Sequence, residues 1–508
     1  MLKTNGLLVV LAAVALITFG SSNSASAASI KVKEGGSASI ISFSDAPSLD
    51  PTTVINADTQ GSTVMDAIYG VLFTTNAQGT VQPGLATSFS SPDGLTWTLK
   101  LRSGVKFSDG TPFDATAVMD QWTRIAGNIE AGGTWAALKY FGASMSVVNP
   151  LTMQVVLTTV DRQFQQLVVW SQLEWIPSPT AVASEGANFS QKPVGAGSFL
   201  LKSRIPNVDE VLVRNPTYWE QGYPKLNTLT IKIIADQTQA QNAFDTGEAQ
   251  ATVYYDEQTA KQKGYRTSLL SQIGADCWLF GTKAAPFNNI QAREAVYDAI
   301  NMNTLNQDVF QGKETIETSL FPKGMPFYNP KISFPKPNKA KAQKLFNELA
   351  AEGKPVKFTI IGTTGNLSWM EDLQTQLDAF KNVDVSVKAL DPATYGISLY
   401  TGAFQLAVYG VGGLDPEPAV ESFRSNWPLP IASMDDPKID ADLTAGIEAT
   451  TQAGRKAAYN ALQLEMNAQY RILWMFDQDI NVVYQKNVAG VKLYGQGSAL
   501  VDGFGYVG

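Results

Sequence analysis

Two acids set the first question. In Leu414-Asp415-Pro416-Glu417-Pro418, Asp415 and Glu417 stand two positions apart, and a carboxylate pair can serve as acid and base in glycoside hydrolysis. A secreted carboxylate-dependent hydrolase such as a glycosidase is therefore one candidate function. Acids beside prolines are also common turn formers, a reading that needs no chemistry. Composition removes most other catalysts. The 508 residues include no histidine, so no imidazole base, His-metal cluster or Ser-His-Asp triad can form. The one cysteine, Cys277, allows neither an intramolecular disulfide nor a Cys-based zinc site. Between Asp276 and Trp278 it reads as a small buried hydrophobe. The two glycines of Val194-Gly195-Ala196-Gly197-Ser198-Phe199 lack the third glycine and the helix of a nucleotide loop. No catalytic residue, cofactor or resident metal is expected, and the chain reads as a non-enzyme.

The elements that would position a site belong to a large exported chain. Its length suits two or three domains, and 44% hydrophobic with 17% charged residues describes a globular protein. Lys3, the apolar run Leu7–Phe19 and Ala25-Ser26-Ala27 form a signal peptide, placing the mature start near Ala28. The run is too short to span a bilayer, and no later run of about eighteen apolar residues follows. Without a cysteine after it there is no lipobox and no lipid anchor. Losing Lys3 leaves 37 basic against 46 acidic residues, a net charge of −9. An acidic surface argues against nucleic acid and anionic lipid as partners.

Along the chain, Ile40–Phe43 reads as a buried strand and Thr63–Phe73 as helical. Trp97, Leu99 and Leu101 alternate with Thr98, Lys100 and Arg102, the period of a half-buried strand. Asp109-Gly110 is a turn signal, and Asp114 a helix N-cap before Ala115, Val118, Trp122 and Ile125. A second hairpin turns at Asn149-Pro150, and strands fill residues 192–234. Beyond Ile234, helices (Asp236–Thr246, Ile290–Gln311, Lys339–Ala351, Trp369–Asn382, Thr451–Ala468) alternate with strands such as Pro355–Ile361 and Val383–Ala389. That order argues for α/β domains with open sheets. The proline-rich run Phe321–Lys339 reads as a surface crossing inside one domain.

The segment WTLKLRSGVKFSDGTPFDATAV resembles the signature region of family 5 extracellular solute-binding proteins, the dipeptide, oligopeptide and nickel-binding group of ABC importers. The similarity continues through VGAGSFLL, NPTYWEQGYPKLNTLTIKIIADQTQAQNAFDTGEA, APFNNIQAREAVYDAINMNTL and YGVGGLDPEPAVESF. It implies the type II periplasmic-binding-protein fold: two lobes with a hinge, plus a subdomain inserted in the first. The boundaries expected are a signal at 1–27, first-lobe pieces at 28–69, 191–278 and 477–508, the inserted subdomain at 70–190, and the second lobe at 279–476. Hinges are expected near Trp278–Phe280 and Trp474–Asp479. The resemblance implies capture of a small solute, peptide-like or another polar organic molecule. The partners implied are a small-molecule or short-peptide ligand and an ABC permease with cytoplasmic ATPases. Neither nucleic acid nor oligomerisation is expected, and the periplasm is the expected location.

On this arrangement Ser44, Asp45 and Ala46, the aromatics Trp278 and Trp474, Ser368 and Trp369, and Tyr409, Gly412, Gly413 and Asp415 should face the ligand. Trp474→Ala should then weaken affinity with the fold intact. Peptide-binding members place an acid in the second-lobe loop to hold the ligand's α-ammonium. Here Gly412 occupies that position, and Asp415 matches the family's Asp-Pro instead, which argues against that mode of peptide recognition. The absence of histidine argues likewise against direct nickel ligation, leaving a chelated metal or organic carrier.

Overall fold

Residues 31–508 are described in the computed structural model, apart from 54–59, 77, 254, 271–273, 418, 430–433, 478 and 495–497. The expected signal peptide lies outside the described residues. Among these, no helix is long and apolar enough to cross a membrane.

The first lobe is organised by Ser37–Ser42, a strand whose Ile40 and Ile41 are both buried, on opposite faces. A strand apolar on both sides belongs inside a sheet covered by helices on each face. It pairs in parallel with Thr228–Ile233 and with Ala251–Val253. Seven strands result, ordered Arg266–Leu270, Ile480–Tyr484, Ala251–Val253, Ser37–Ser42, Thr228–Ile233, Asp209–Arg214 and Phe199–Ile205. Helix Thr63–Tyr69 covers the Ile40 face, while Phe244 and Ala260 from two short helices cover Ile41.

Gly195 and Gly197, which lie in the rejected nucleotide-loop motif, press against this first helix. A Cβ on either would strike the backbone of Ala67, Ile68 or Tyr69. Close backbone approach is their structural role.

The inserted subdomain is a four-stranded antiparallel sheet, ordered Ala86–Ser90, Thr96–Leu101, Thr152–Val156 and Ser144–Asn149. Helix Ala115–Gly127 packs on it, capped by Asp114 accepting from the Ala117 N–H at 3.0 Å. Trp97, Trp122 and Phe164 join a core continuous with that of the first lobe. Asp66 fastens the first lobe's separate pieces together. It accepts from Trp175 Nε1 at 2.8 Å, Tyr494 Oη at 2.9 Å and the Ser498 hydroxyl.

The second lobe has its own core around a five-stranded sheet, ordered Val383–Leu390, Val356–Thr363, Leu406–Gly412, Gly274–Phe280 and Ile472–Asp477. The chain changes sheet between Leu270 and Gly274, and again between Asp477 and Ile480. The second change of sheet adjoins the stretch Trp474–Asp479 where a hinge was expected. The first comes earlier than expected, so residues 274–278 are part of the second-lobe sheet. Residues 290–311 form two helices, Ile290–Ala299 and Met302–Phe310, because Asn301 caps the second by accepting from Asn303 N at 3.0 Å. The proline-rich run crosses within the second lobe and buries Phe321, Met325, Phe327 and Phe334 in its core.

Candidate functional site: the closed seam between the lobes

The second lobe rests on the inserted subdomain. Arg162 donates its backbone N–H to Ile447 O at 2.9 Å and its Nε to Glu448 O at 3.0 Å. The Tyr140 ring lies 5.2 Å from that of Trp427, with the Arg424 guanidinium 5.2 Å over Tyr140. Trp170 reaches Gly413, where a Cβ would sit 3.9 Å from its ring, and Leu414 packs on Gly79. Leu414, Trp427 and Ile447 are buried in the core shared by the first lobe and its subdomain. The lobes are closed.

Ionisable groups concentrate behind this seam. Asp415 binds both terminal nitrogens of Arg455, at 2.7 and 2.8 Å, a bidentate pair buried from solvent. Glu421 pairs with Arg424, whose Nη1 also donates to Thr444 Oγ1 at 2.9 Å. Glu417 is fully buried, and neither of its oxygens meets a donor among the described residues. Burial pushes its carboxyl well above the ordinary range, and the neighbouring Glu421 and Asp161 charges add to the rise. Asp161, on the subdomain side, is pushed up to about 8, mainly by burial.

The remaining sequence-predicted residues divide into groups. Asp45 belongs to a first-lobe cluster, paired with Arg204 at 2.8 Å and accepting from Asn207 N at 2.8 Å. The carbonyls of Ser44 and Ala46 take a hydroxyl and a guanidinium donor respectively, from Ser42 and Arg204. Tyr409, Cys277 and Trp474 lie abreast on three neighbouring strands, and Gly412 pairs with Gly274 on the same strands. Trp278 faces the opposite side, level with Val408 and Leu473. Both tryptophans are buried in the second core, and neither indole N–H meets a protein acceptor among the described residues. Trp474→Ala would therefore leave a core cavity, contrary to the expectation that the fold would be untouched. Ser368 is exposed, and Trp369 packs 5.4 Å from Phe310.

Thus Gly413 lies at the seam and Asp415 in the charge cluster behind it, while Ser44–Ala46, Trp278 and Ser368 stand elsewhere. Sequence reasoning missed Tyr140, Asp161, Arg162, Trp170, Trp427 and Arg455. Their partners lie far along the chain, so no local spacing signals them. The cavity of about 540 Å³ lined by Arg102, Trp219, Glu220 and Lys492 is built without second-lobe residues. Among the described residues no group of three acids or thiols is placed to hold a metal ion.

Residues 80–428 match the profile of bacterial extracellular solute-binding proteins, family 5 middle. The chain belongs to this family. This solute-binding protein is 27% identical over 423 residues to the nickel-binding periplasmic protein of Escherichia coli K12, covering 77% of this chain and 80% of the relative. It is 30% identical over 274 residues to the glutathione-binding protein GsiB of Shigella flexneri serotype 5b, about half of each chain at 52%. Haemophilus influenzae OppA, solved in complex with the peptide RPPGFSPFR, superposes with a TM-score of 0.79 at 21% identity, covering 94% of this chain and all of that one. The fold is the type II periplasmic-binding-protein arrangement, and the family captures solutes for ABC importers. The hydrolase alternative finds no support. Both oxygens of Asp415 are spent on Arg455, and Glu417 is sealed from solvent.

Proposed function

We propose that this chain is the periplasmic receptor of an ABC importer, holding a small polar organic solute between its lobes and releasing it chemically unchanged. The observation that carries this reading is the seam itself. Two lobes joined by two crossovers meet through the inserted subdomain, so a solute touching both lobes favours closure by its differential contacts. The ligand is one that needs no second-lobe carboxylate at position 412, because that residue is glycine and the nearby Asp415 is neutralised by Arg455. Peptide-like solutes then bind through other groups, and nickel arrives inside an organic chelate. Export by the signal peptide, a monomeric state, and docking onto permease subunits with cytoplasmic ATPases complete the proposal.

The test is mass spectrometry of small molecules that copurify with the protein. Thermal shifts with glutathione, a tripeptide panel and nickel with and without a chelator extend it. A solute that raises the melting temperature and is recovered intact supports capture. Conversion of that solute would overturn it.

A further inference from the structure

The seam buries more acid than base. Asp161 stands on the inserted subdomain, and Asp415, Glu417 and Glu421 on the second lobe. Against these four stand Arg424 and Arg455, and all six are buried. Arg455 is committed to Asp415 through both terminal nitrogens. Arg424 serves Glu421, Thr444 and the Asp440 carbonyl. Its Nη2 and Arg455 Nε meet no acceptor among the described residues, so Arg424 acts on Glu417 through its field and not through a hydrogen bond. Among the described residues two carboxyls remain without a hydrogen-bonded cation of their own. Asp161 Oδ1 accepts from Gln163 N at 2.7 Å, but its Oδ2 meets no donor among the described residues. Glu417 lies against Glu421, a contact that becomes a hydrogen bond only when one of the two carries a proton.

The other groups facing the cluster do not supply the missing charge. Tyr140 and Tyr459 are neutral phenols, with burial raising both. Asp440 adds a further acid on the far side of Arg424, its Oδ1 accepting from Ser425 N at 2.9 Å. Arg162 commits its Nε to the Glu448 carbonyl at 3.0 Å. Ionised carboxylates without partners are not stable in such a place and neutralise instead.

We propose that closing the lobes takes up about two protons, one on Asp161 and one shared by Glu417 and Glu421, so that acidity favours the closed state and alkalinity opens it. This rests on the two-lobed capture reading and adds its regulation. In the open protein the seam is wet and carboxylates titrate near their ordinary values of about 4. In the closed protein burial raises Asp161 to about 8 and raises both glutamates. The closed state therefore binds more protons between those limits, and its population falls as pH rises. Asp161 alone changes the closure constant by up to about tenfold per pH unit between roughly 5 and 7, and the proton shared by Glu417 and Glu421 steepens that dependence. A chain without histidine thus senses pH near neutrality through carboxylic acids.

The experiment is small-angle X-ray scattering of the solute-free mature protein between pH 5.5 and 8.5, with tryptophan emission as a second readout and circular dichroism confirming the fold. The wild type is expected to expand on alkalinisation. The Asp161→Asn/Glu417→Gln variant, whose amides need no proton, should stay compact at pH 8.5. General repulsion from net negative charge would open both proteins alike, which overturns the assignment. So would a wild-type radius of gyration that does not change with pH. Single Asp161→Asn, expected to halve the proton uptake, serves if the double variant is unfolded. Compaction on adding a bound solute such as glutathione tests capture separately. Compaction that is indifferent to pH would keep capture and sink the proton linkage.

Discussion

Asp415 shows how a residue legible in sequence changes meaning once its partner is known. As an acid beside proline it suggested catalysis or ligand contact, but Arg455, 40 residues on, consumes both of its oxygens. Arg455→Met strands a buried carboxylate and should cost about 3–5 kcal/mol in urea unfolding, while Asp415→Asn/Arg455→Met should recover most of that loss. Asp66 makes a separate prediction. Burial raises its carboxyl from 3.8 to about 7, against the lowering effect of its Ser498, Trp175 and Tyr494 hydrogen bonds. The folded protein therefore binds the extra proton, and stability falls as pH rises from about 4 through 7. Asp66→Asn should gain on the wild type by up to about 4 kcal/mol across that window, read from thermal unfolding at several pH values. Trp474 was legible as an aromatic near a crossing but not as core, since its burial depends on strands far away in sequence. Trp474→Ala should cost about 3–5 kcal/mol in stability, so any loss of affinity in that variant must be read against its unfolding.

Elements with local signals were readable and those without were not. The Trp97–Leu101 alternation, the Asn149-Pro150 turn and the Asp114 cap all reappear. Asp114→Ala should cost about 1 kcal/mol in equilibrium unfolding, the usual worth of an N-cap. Helix Gly132–Phe141 gave little warning because two glycines open it and apolar residues follow on most sides. The break at Ile300-Asn301 was hidden because helical periodicity continues through it, while only the Asn301 cap marks the restart. The glycines at 195 and 197 could be rejected as a nucleotide loop, but their contact with helix Thr63–Tyr69 required the tertiary structure. Gly195→Ala should destabilise the first lobe by at least about 1–3 kcal/mol, measured by the same unfolding assay, because rigid backbone must move.

At the scale of the whole molecule, the order of two lobes and an inserted subdomain was legible through the family resemblance. The first crossing was misplaced because Gly274–Phe280 is apolar apart from Asp276, and apolarity does not say which sheet a strand joins. Of the seam only Gly413, with Asp415 behind it, was legible, since the rest joins residues such as Arg162 and Ile447 across hundreds of positions. Trp427→Ala should weaken the closed state, because its ring is buried against Tyr140 and Phe141 across the seam. The expected result is a larger radius of gyration in the solute-free variant at pH 5.5, with unchanged circular dichroism. Cys277 has a practical consequence for following such motion. Its sulfur is fully buried within the second sheet, and burial raises its thiol well above the ordinary range, so it stays protonated and unreactive. Dye pairs can therefore be attached to new cysteines placed on exposed points of each lobe, and energy transfer between them would time every opening without first removing the native thiol.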